Sequence, residues 1–114
     1  MEDCIFCKIA GHKIPSQIVY EDEEIVAFKD VNPVAPVHIL VIPKRHIGSV
    51  ALLTDAEKEL VGRVMLVVNK LAKEASVDKT GFRVVVNHGR DAGQSVPHIH
   101  FHLLGGRPLG WPPG

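Results

Sequence analysis

Between Leu60 and Ala75 the apolar residues Leu60, Val61, Val64, Met65, Val67, Val68, Leu71, Ala72 and Ala75 fall within an arc of roughly 160° when wound at about 100° per residue. Arg63, Lys70, Lys73 and Glu74 lie outside it. The pattern predicts one long helix, Asp55 to about Ala75, lying over a sheet. Thr54-Asp55-Ala56-Glu57 marks its start, because Thr54 and Glu57 can each satisfy an orphan amide in a capping box. Leu66, beside Gly62, projects from the opposite side and reads as a single exposed leucine or a dimer contact. Elsewhere the pattern is that of strands. Gln17–Glu21 and Ile25–Lys29 flank the acidic run Glu21-Asp22-Glu23-Glu24, which reads as a solvated hairpin turn. Asn32-Pro33 and Pro36 then break the chain before a third strand, His38–Ile42, which ends at Pro43. The β-branched stretch Gly81–Asn87 gives a fourth strand, and Asn87–Pro97 a loop with Gly89 and Gly93. His98–Leu104 gives a fifth, closed by Gly105-Gly106. About five strands and one long helix in this order predict an α+β fold with an antiparallel sheet, as one domain over residues 1–114.

Composition narrows the function. Thirteen basic residues balance thirteen acidic ones, so no global field draws nucleic acid or anionic lipid, and neither is an expected partner. No apolar run approaches the roughly 20 residues that cross a bilayer. Glu2 and Asp3 stand where a signal peptide carries basic residues, and the expected location is the cytoplasm. The two cysteines, Cys4 and Cys7, are too close to staple a fold and point to metal or redox chemistry. The unusual count is seven histidines, three of them within five positions.

Those three are His98, His100 and His102 in His-Ile-His-Phe-His-Leu-Leu. In a strand they share one face, neighbours roughly 6 to 7 Å apart, while Ile99, Phe101 and Leu103 face the core. Grouped imidazoles resist being charged together, because each proton lowers the next pKa and partial burial acts the same way. A neutral ring whose Nδ1–H is held by a carbonyl presents its Nε2 lone pair, suited either to attack on phosphorus or to metal ligation. The preceding Gly93-Gln94-Ser95 can offer amides and a hydroxyl to anionic oxygens. No carboxylate neighbours the three histidines in sequence, although a metal-activated water commonly recruits one as base.

The His-x-His-x-His segment followed by two apolar residues resembles the histidine-triad (HIT) family. Phe28-Lys29-Asp30, Pro36-Val37-His38, Val41-Ile42-Pro43-Lys44-Arg45-His46, Val86-Asn87, Gly93-Gln94-Ser95 and Trp111-Pro112-Pro113-Gly114 look most like its Hint branch of nucleoside phosphoramidases, and together they cover nearly the whole chain. The resemblance implies a five-stranded antiparallel sheet with one long and one short helix, paired across a two-fold axis into a ten-stranded sheet, so that the partner is a second copy. It further implies a purine nucleotide-binding hydrolase that cleaves nucleoside 5′-phosphoramidates through a nucleotidyl-histidine and releases AMP. His100 would be the nucleophile, His102 would aid proton transfer to the leaving group, and His38 would support that network. Asp30, beside Val31, would bind the ribose hydroxyls, and Asn87, Gly93, Gln94 and Ser95 the phosphate, while Trp111 would reach the neighbouring site. A histidine at position 102, where transferase branches carry glutamine, favours hydrolysis over transfer. A dinucleoside polyphosphate hydrolase on the same fold and a nucleotide-binding regulatory protein are the competing readings.

Cys4-Ile5-Phe6-Cys7 also has the spacing of half a tetrahedral zinc site and needs two more ligands. Related bacterial proteins are similar in completing such a site with residues matching His46 and His98, which implies a structural zinc held by Cys4, Cys7, His46 and His98. A redox-active cysteine pair and inert thiols are the alternatives. No organic cofactor is implied.

Overall fold

The computed structural model describes residues 3–114, so Glu2 of the acidic N-terminal pair lies outside the described residues. In chain order the elements are α1 (Ile5–Ala10), β1 (Ile18–Glu21), β2 (Ile25–Lys29), β3 (Val37–Pro43), α2 (Lys58–Glu74), β4 (Phe82–Val86) and β5 (Phe101–Gly105). The strands form one antiparallel sheet in the order β1-β2-β3-β5-β4. This is the expected five-stranded sheet with one long and one short helix.

Alternation along the central strands separates two apolar layers. Ile25 and Ala27 of β2, Ile39 and Val41 of β3, and Phe101 and Leu103 of β5 pack beneath Val64, Val67, Val68, Leu71 and Ala72 of α2. Each buried aliphatic side chain contributes about 2 kcal/mol relative to exposure. Val26, Phe28, Leu40 and Ile42 point the other way and meet Phe6 and Ile9 of α1. β2 and β3 are therefore covered on both faces, which is why they read as continuous apolar runs rather than as alternating strands.

Four expectations need correction. The capping box forms, with the Thr54 N–H donating to Glu57 Oε1 at 2.6 Å, but it opens a short 3₁₀ turn over Asp55–Glu57, and the α-helix begins at Lys58. Met65, at the rim of the apolar arc, is 40% exposed. The acidic hairpin is tied down rather than solvated throughout. Asp22 Oδ1 accepts from the Glu24 and Ile25 amides at 2.7 and 2.8 Å, an Asx-type closure of the turn, and Arg63 of α2 reaches both Asp22 and Glu24. Lys44 meets Glu21 at 2.6 Å.

The fourth correction concerns the histidine segment. The β5 ladder starts only at Phe101, because Val41 of β3 and Val86 of β4 are the last residues paired with it. His98 and His100 lie just before it, where Ile99 N–H bonds instead to the Ile47 carbonyl at 2.6 Å. The side-chain alternation nevertheless continues through this stretch. Ile99, Phe101 and Leu103 enter the α2-side core, while Phe6 of α1 sits edge-on to both His98 and His100. Among the described residues, no helix is long and apolar enough to cross a membrane.

Candidate active site

The face of the sheet that α1 only partly covers carries His38, His98, His100 and His102. Register places Leu40 of β3 opposite His102 and His38 opposite Leu104, so His38 and His102 are diagonal neighbours on one face. Their rings meet at Nε2 and Nδ1, 2.9 Å apart. Asp30, immediately after β2, brings Oδ2 to 3.4 Å from His38 Nε2. A carboxylate thus reaches the histidines through the fold although none lies beside them in sequence.

Backbone partners decide which nitrogen of each neutral ring carries hydrogen, since a carbonyl only accepts and an amide only donates. His100 Nδ1 lies 2.7 Å from the His98 carbonyl, so it holds the proton and leaves Nε2 as a bare lone pair. His38 is the reverse. Its Nδ1 accepts from the Val34 N–H at 3.1 Å, so Nε2 holds the proton and donates to His102 Nδ1. His102 must then carry its own proton on Nε2. Adjacent rings, with centroids 5.0 Å apart, consequently hold opposite tautomers, His100 as a base or nucleophile and His102 as a donor. Burial, reinforced by repulsion from His100 and His38, pushes the His102 pKa down to about 4 against the pull of Asp30, so the ring is neutral near pH 7. Burial likewise lowers that of His38, with Asp30 opposing.

A cavity of about 320 Å³ opens in front of His100 and His102. Its polar walls include Asp30, Ser95, His100 and His102, and its apolar walls include Phe28, Val31 and Leu40. Mixed lining of this kind suits a small molecule with one flat apolar part and one polar part. Of the expected contact residues, Asn87, Gly93, Gln94 and Trp111 do not line it. The Gly93 and Gln94 amides donate within their own loop, to Arg90 and Gly89 carbonyls at 3.0 and 3.1 Å. The Gln94 carboxamide accepts from the Gly89 N–H and donates to the Gly48 and Val96 carbonyls, so it braces the loop. Trp111 is 82% exposed on the tail, which Arg83 grips through the Leu109 and Gly110 carbonyls.

Phe6, between the two cysteines, was not singled out by the sequence pattern. Its ring lies edge-on to His100 at 5.1 Å and to Phe28 at 5.4 Å, bracing the His100 ring. The period of a six-residue helix is too short to mark it.

His98 faces away from the cavity. Its Nε2–H donates to the Pro43 carbonyl at 2.8 Å, so Nδ1 is bare, 3.3 Å from Cys4 Sγ and 3.6 Å from Cys7 Sγ. His46 Nδ1 lies 3.3 Å from Cys7 Sγ, and all four donor atoms fall within 4.8 Å of one another. Two soft sulfurs, two ring nitrogens and a second nitrogen anchored on a carbonyl are the donor set and outer support of a tetrahedral metal site. The four residues form a candidate metal-binding cluster. In the thiol form, burial and then the Cys4 sulfur push the Cys7 pKa up, the opposite of what a redox-active cysteine needs.

Residues 12–109 match the HIT domain. A 14 kDa zinc-binding protein of Brassica juncea is 46% identical, over 98% of this chain and all of its own length. The crystal structure of a HIT family hydrolase from Legionella pneumophila superposes with a TM-score of 0.97 at 46% identity, covering 98% of this chain and 100% of that one. A histidine triad protein from Clostridium difficile gives 0.93 at 53% identity, covering 96% of both chains. The chain belongs to the HIT family and is classed with that family's hydrolases.

Proposed function

We propose that this hydrolase cleaves purine nucleoside 5′-phosphoramidates, releasing AMP or the corresponding monophosphate through a covalent nucleotidyl-His100. The observation that carries this reading is the pair of backbone contacts, the His98 carbonyl on His100 Nδ1 and the Val34 N–H on His38 Nδ1, which assigns opposite tautomers to two adjacent rings of one cavity. The His100 Nε2 lone pair attacks the α-phosphorus, and the P–N bond to the leaving amine breaks as the amine takes the His102 Nε2 proton, the His38–His102 pair having taken up one solvent proton as the anionic substrate binds, so that both rings are left neutral. The positive charge left on the nucleotidyl-imidazole is met by its Nδ1–H bond to the His98 carbonyl. In the second step His102 Nε2 accepts a proton from water, whose oxygen bonds to phosphorus while the P–N bond to His100 breaks. Both rings return to their starting tautomers, so a turnover consumes one water and no net proton on the enzyme.

Asp30, beside Val31, takes the ribose hydroxyls, Phe28 and Leu40 border the base, and Ser95 meets the phosphate together with His102. Asn87, Gly93 and Gln94 are proposed as further phosphate contacts, and Gln94 also braces the 87–97 loop through the Gly89, Gly48 and Val96 backbone groups. His38 holds His102 in its donating form. A structural zinc on Cys4, Cys7, His46 and His98 supplies no chemistry to the reaction and fixes α1 against the sheet.

The protein acts as a cytoplasmic homodimer of single-domain chains. β4 forms one edge of the sheet and carries Val84, Val85 and Val86, the sort of β-branched edge that a second copy can pair with to make ten strands. The other edge is interrupted by an irregularity between Ile18 and Tyr20. Trp111 then has a neighbouring site to cover.

The test is the stereochemistry at phosphorus with a substrate made chiral by sulfur and ¹⁸O. Two in-line displacements give overall retention. Inversion means direct attack by water and removes His100 as nucleophile.

A further inference from the structure

Val34 lies in the proline-broken turn between β2 and β3, outside the cavity and 60% exposed. Its backbone is nonetheless engaged on both sides. The N–H donates to His38 Nδ1 at 3.1 Å, and the carbonyl accepts from Arg107 Nη2 at 2.9 Å and from Arg107 Nε at 3.3 Å. Arg107 Nη1 bonds to the Pro108 carbonyl at 2.9 Å, which holds the guanidinium against its own segment. Gly106 adopts φ +90°, and a Cβ there would come within 2.9 Å of Pro36 Cβ, so the Gly106–Arg107 turn packs directly on the 33–36 loop. A planar fork with two donors on one carbonyl is a geometry lysine cannot copy.

We propose that Arg107 is a positioning residue for the proton donor: by clamping Val34 it keeps an amide hydrogen on His38 Nδ1, which forces His38, and through it His102, into the Nε2–H form. The chain of constraint is Arg107 to Val34, Val34 to His38, His38 to His102. Each link has a fixed direction. An amide can only donate, so His38 Nδ1 must accept. His38 Nε2 must then donate, and His102 Nδ1 must accept. Without the Val34 N–H, the His38–His102 pair can shift its protons together, His38 to Nδ1–H and His102 to Nδ1–H, which keeps their mutual hydrogen bond. That alternative removes the hydrogen from the His102 nitrogen facing the cavity. The Asp30 carboxylate, 3.4 Å from His38 Nε2, favours the clamped form because it too requires a donor there.

The consequence for turnover rests on the phosphoramidase reading, but the tautomers do not. The experiment is two-bond ¹⁵N–¹H correlation on the full-length chain with ¹⁵N-labelled histidine and no substrate, for the native protein, Arg107→Ala and Arg107→Lys. In the native protein the expected pattern is a pyridine-like Nδ1 and a pyrrole-like Nε2 for both His38 and His102, and the reverse for His100. Arg107→Ala should give averaged or reversed signals at His38 and His102 alone, with His100 unchanged, and Arg107→Lys should fall between. Loss of a held proton donor should lower kcat about tenfold with KM within twofold. A pyrrole-like Nδ1 on His102 in the native protein overturns the proposal without recourse to any variant. So does a folded Arg107→Ala whose ¹⁵N pattern matches the native one, because Arg107 then only staples the tail. If the tautomers respond to Arg107 while the native protein cleaves no phosphoramidate, the clamp stands and the proposed reaction falls.

Discussion

The two ends of the His98–His102 segment contain the same residue type at the same spacing and are built for opposite purposes. At one end His98 has no exposed surface, its Nε2–H is spent on Pro43, and its lone pair faces Cys4 and Cys7. At the other His102 borders the cavity, takes the His38 hydrogen on Nδ1 and turns its own hydrogen outward. His100 between them has its Nδ1 on the His98 carbonyl and lines the same cavity as His102. The backbone groups and side chains that each ring meets, more than the imidazole itself, assign these functions. On the proposed reading, a carbonyl on Nδ1 leaves His100 a lone pair for attack, and the Val34 amide, acting through His38, leaves His102 a hydrogen to donate.

Changes at the two ends should therefore have separable effects. His100→Ala removes the attacking atom, and kcat should fall about 10⁴-fold or more while AMP binding, measured by calorimetry, changes by only a few-fold. His102→Asn should lower kcat about 10²- to 10³-fold for alkylamine leaving groups, and far less for a fluoride or aryloxide that needs no proton. An equal loss across leaving groups would mean that His102 is not the acid. At the other end, Cys4→Ala should abolish stoichiometric zinc in the purified protein and lower Tm by about 10 °C, with a smaller effect on kcat than either histidine change. If it abolished turnover while the protein stayed folded, the division between the ends would be wrong.

A smaller effect is the acid limb of stability. An unfolded histidine takes its proton near 6.5 and folded His102 only at about 4. Between these values the unfolded state binds more protons, so stability is complete above pH 6.5 and declines as pH falls through about 4. The depressed pKa of His38 acts with the same sign. Urea midpoints measured against pH should show this slope in the native protein and a shallower one in His102→Asn.

The layout of the sheet was legible because its signals are strong and local. The apolar arc of α2, the β-branched run of β4 and the alternation around Phe101 each identify an element without help from the rest. What escaped was set by tertiary context. Nothing in the order of residues shows that β3 stops pairing with β5 at Val41, so the start of the ladder at Phe101 could not be read. Met65 lies at the rim of its arc, where a small rotation of the helix decides exposure. Gln94 has the composition of an anion contact, yet its carboxamide is committed to three backbone groups of the loop. Asp30 and His38 are eight positions apart across two prolines, and only the folded turn brings the carboxylate to the ring. The tautomers were the least legible part, because they depend on Val34 and His98 backbone groups that every residue type carries. The partners of a ring nitrogen are a property of the fold.

The most direct measurement is intact-protein and peptide mass spectrometry after acid-free quenching of a reaction with an adenosine 5′-phosphoramidate. The predicted result is an AMP adduct on His100 that forms within one turnover, decays with the rate of AMP release, and is absent from His100→Ala. Rapid turnover with no adduct on His100, or turnover that disappears when metal is chelated from the folded protein, would contradict it.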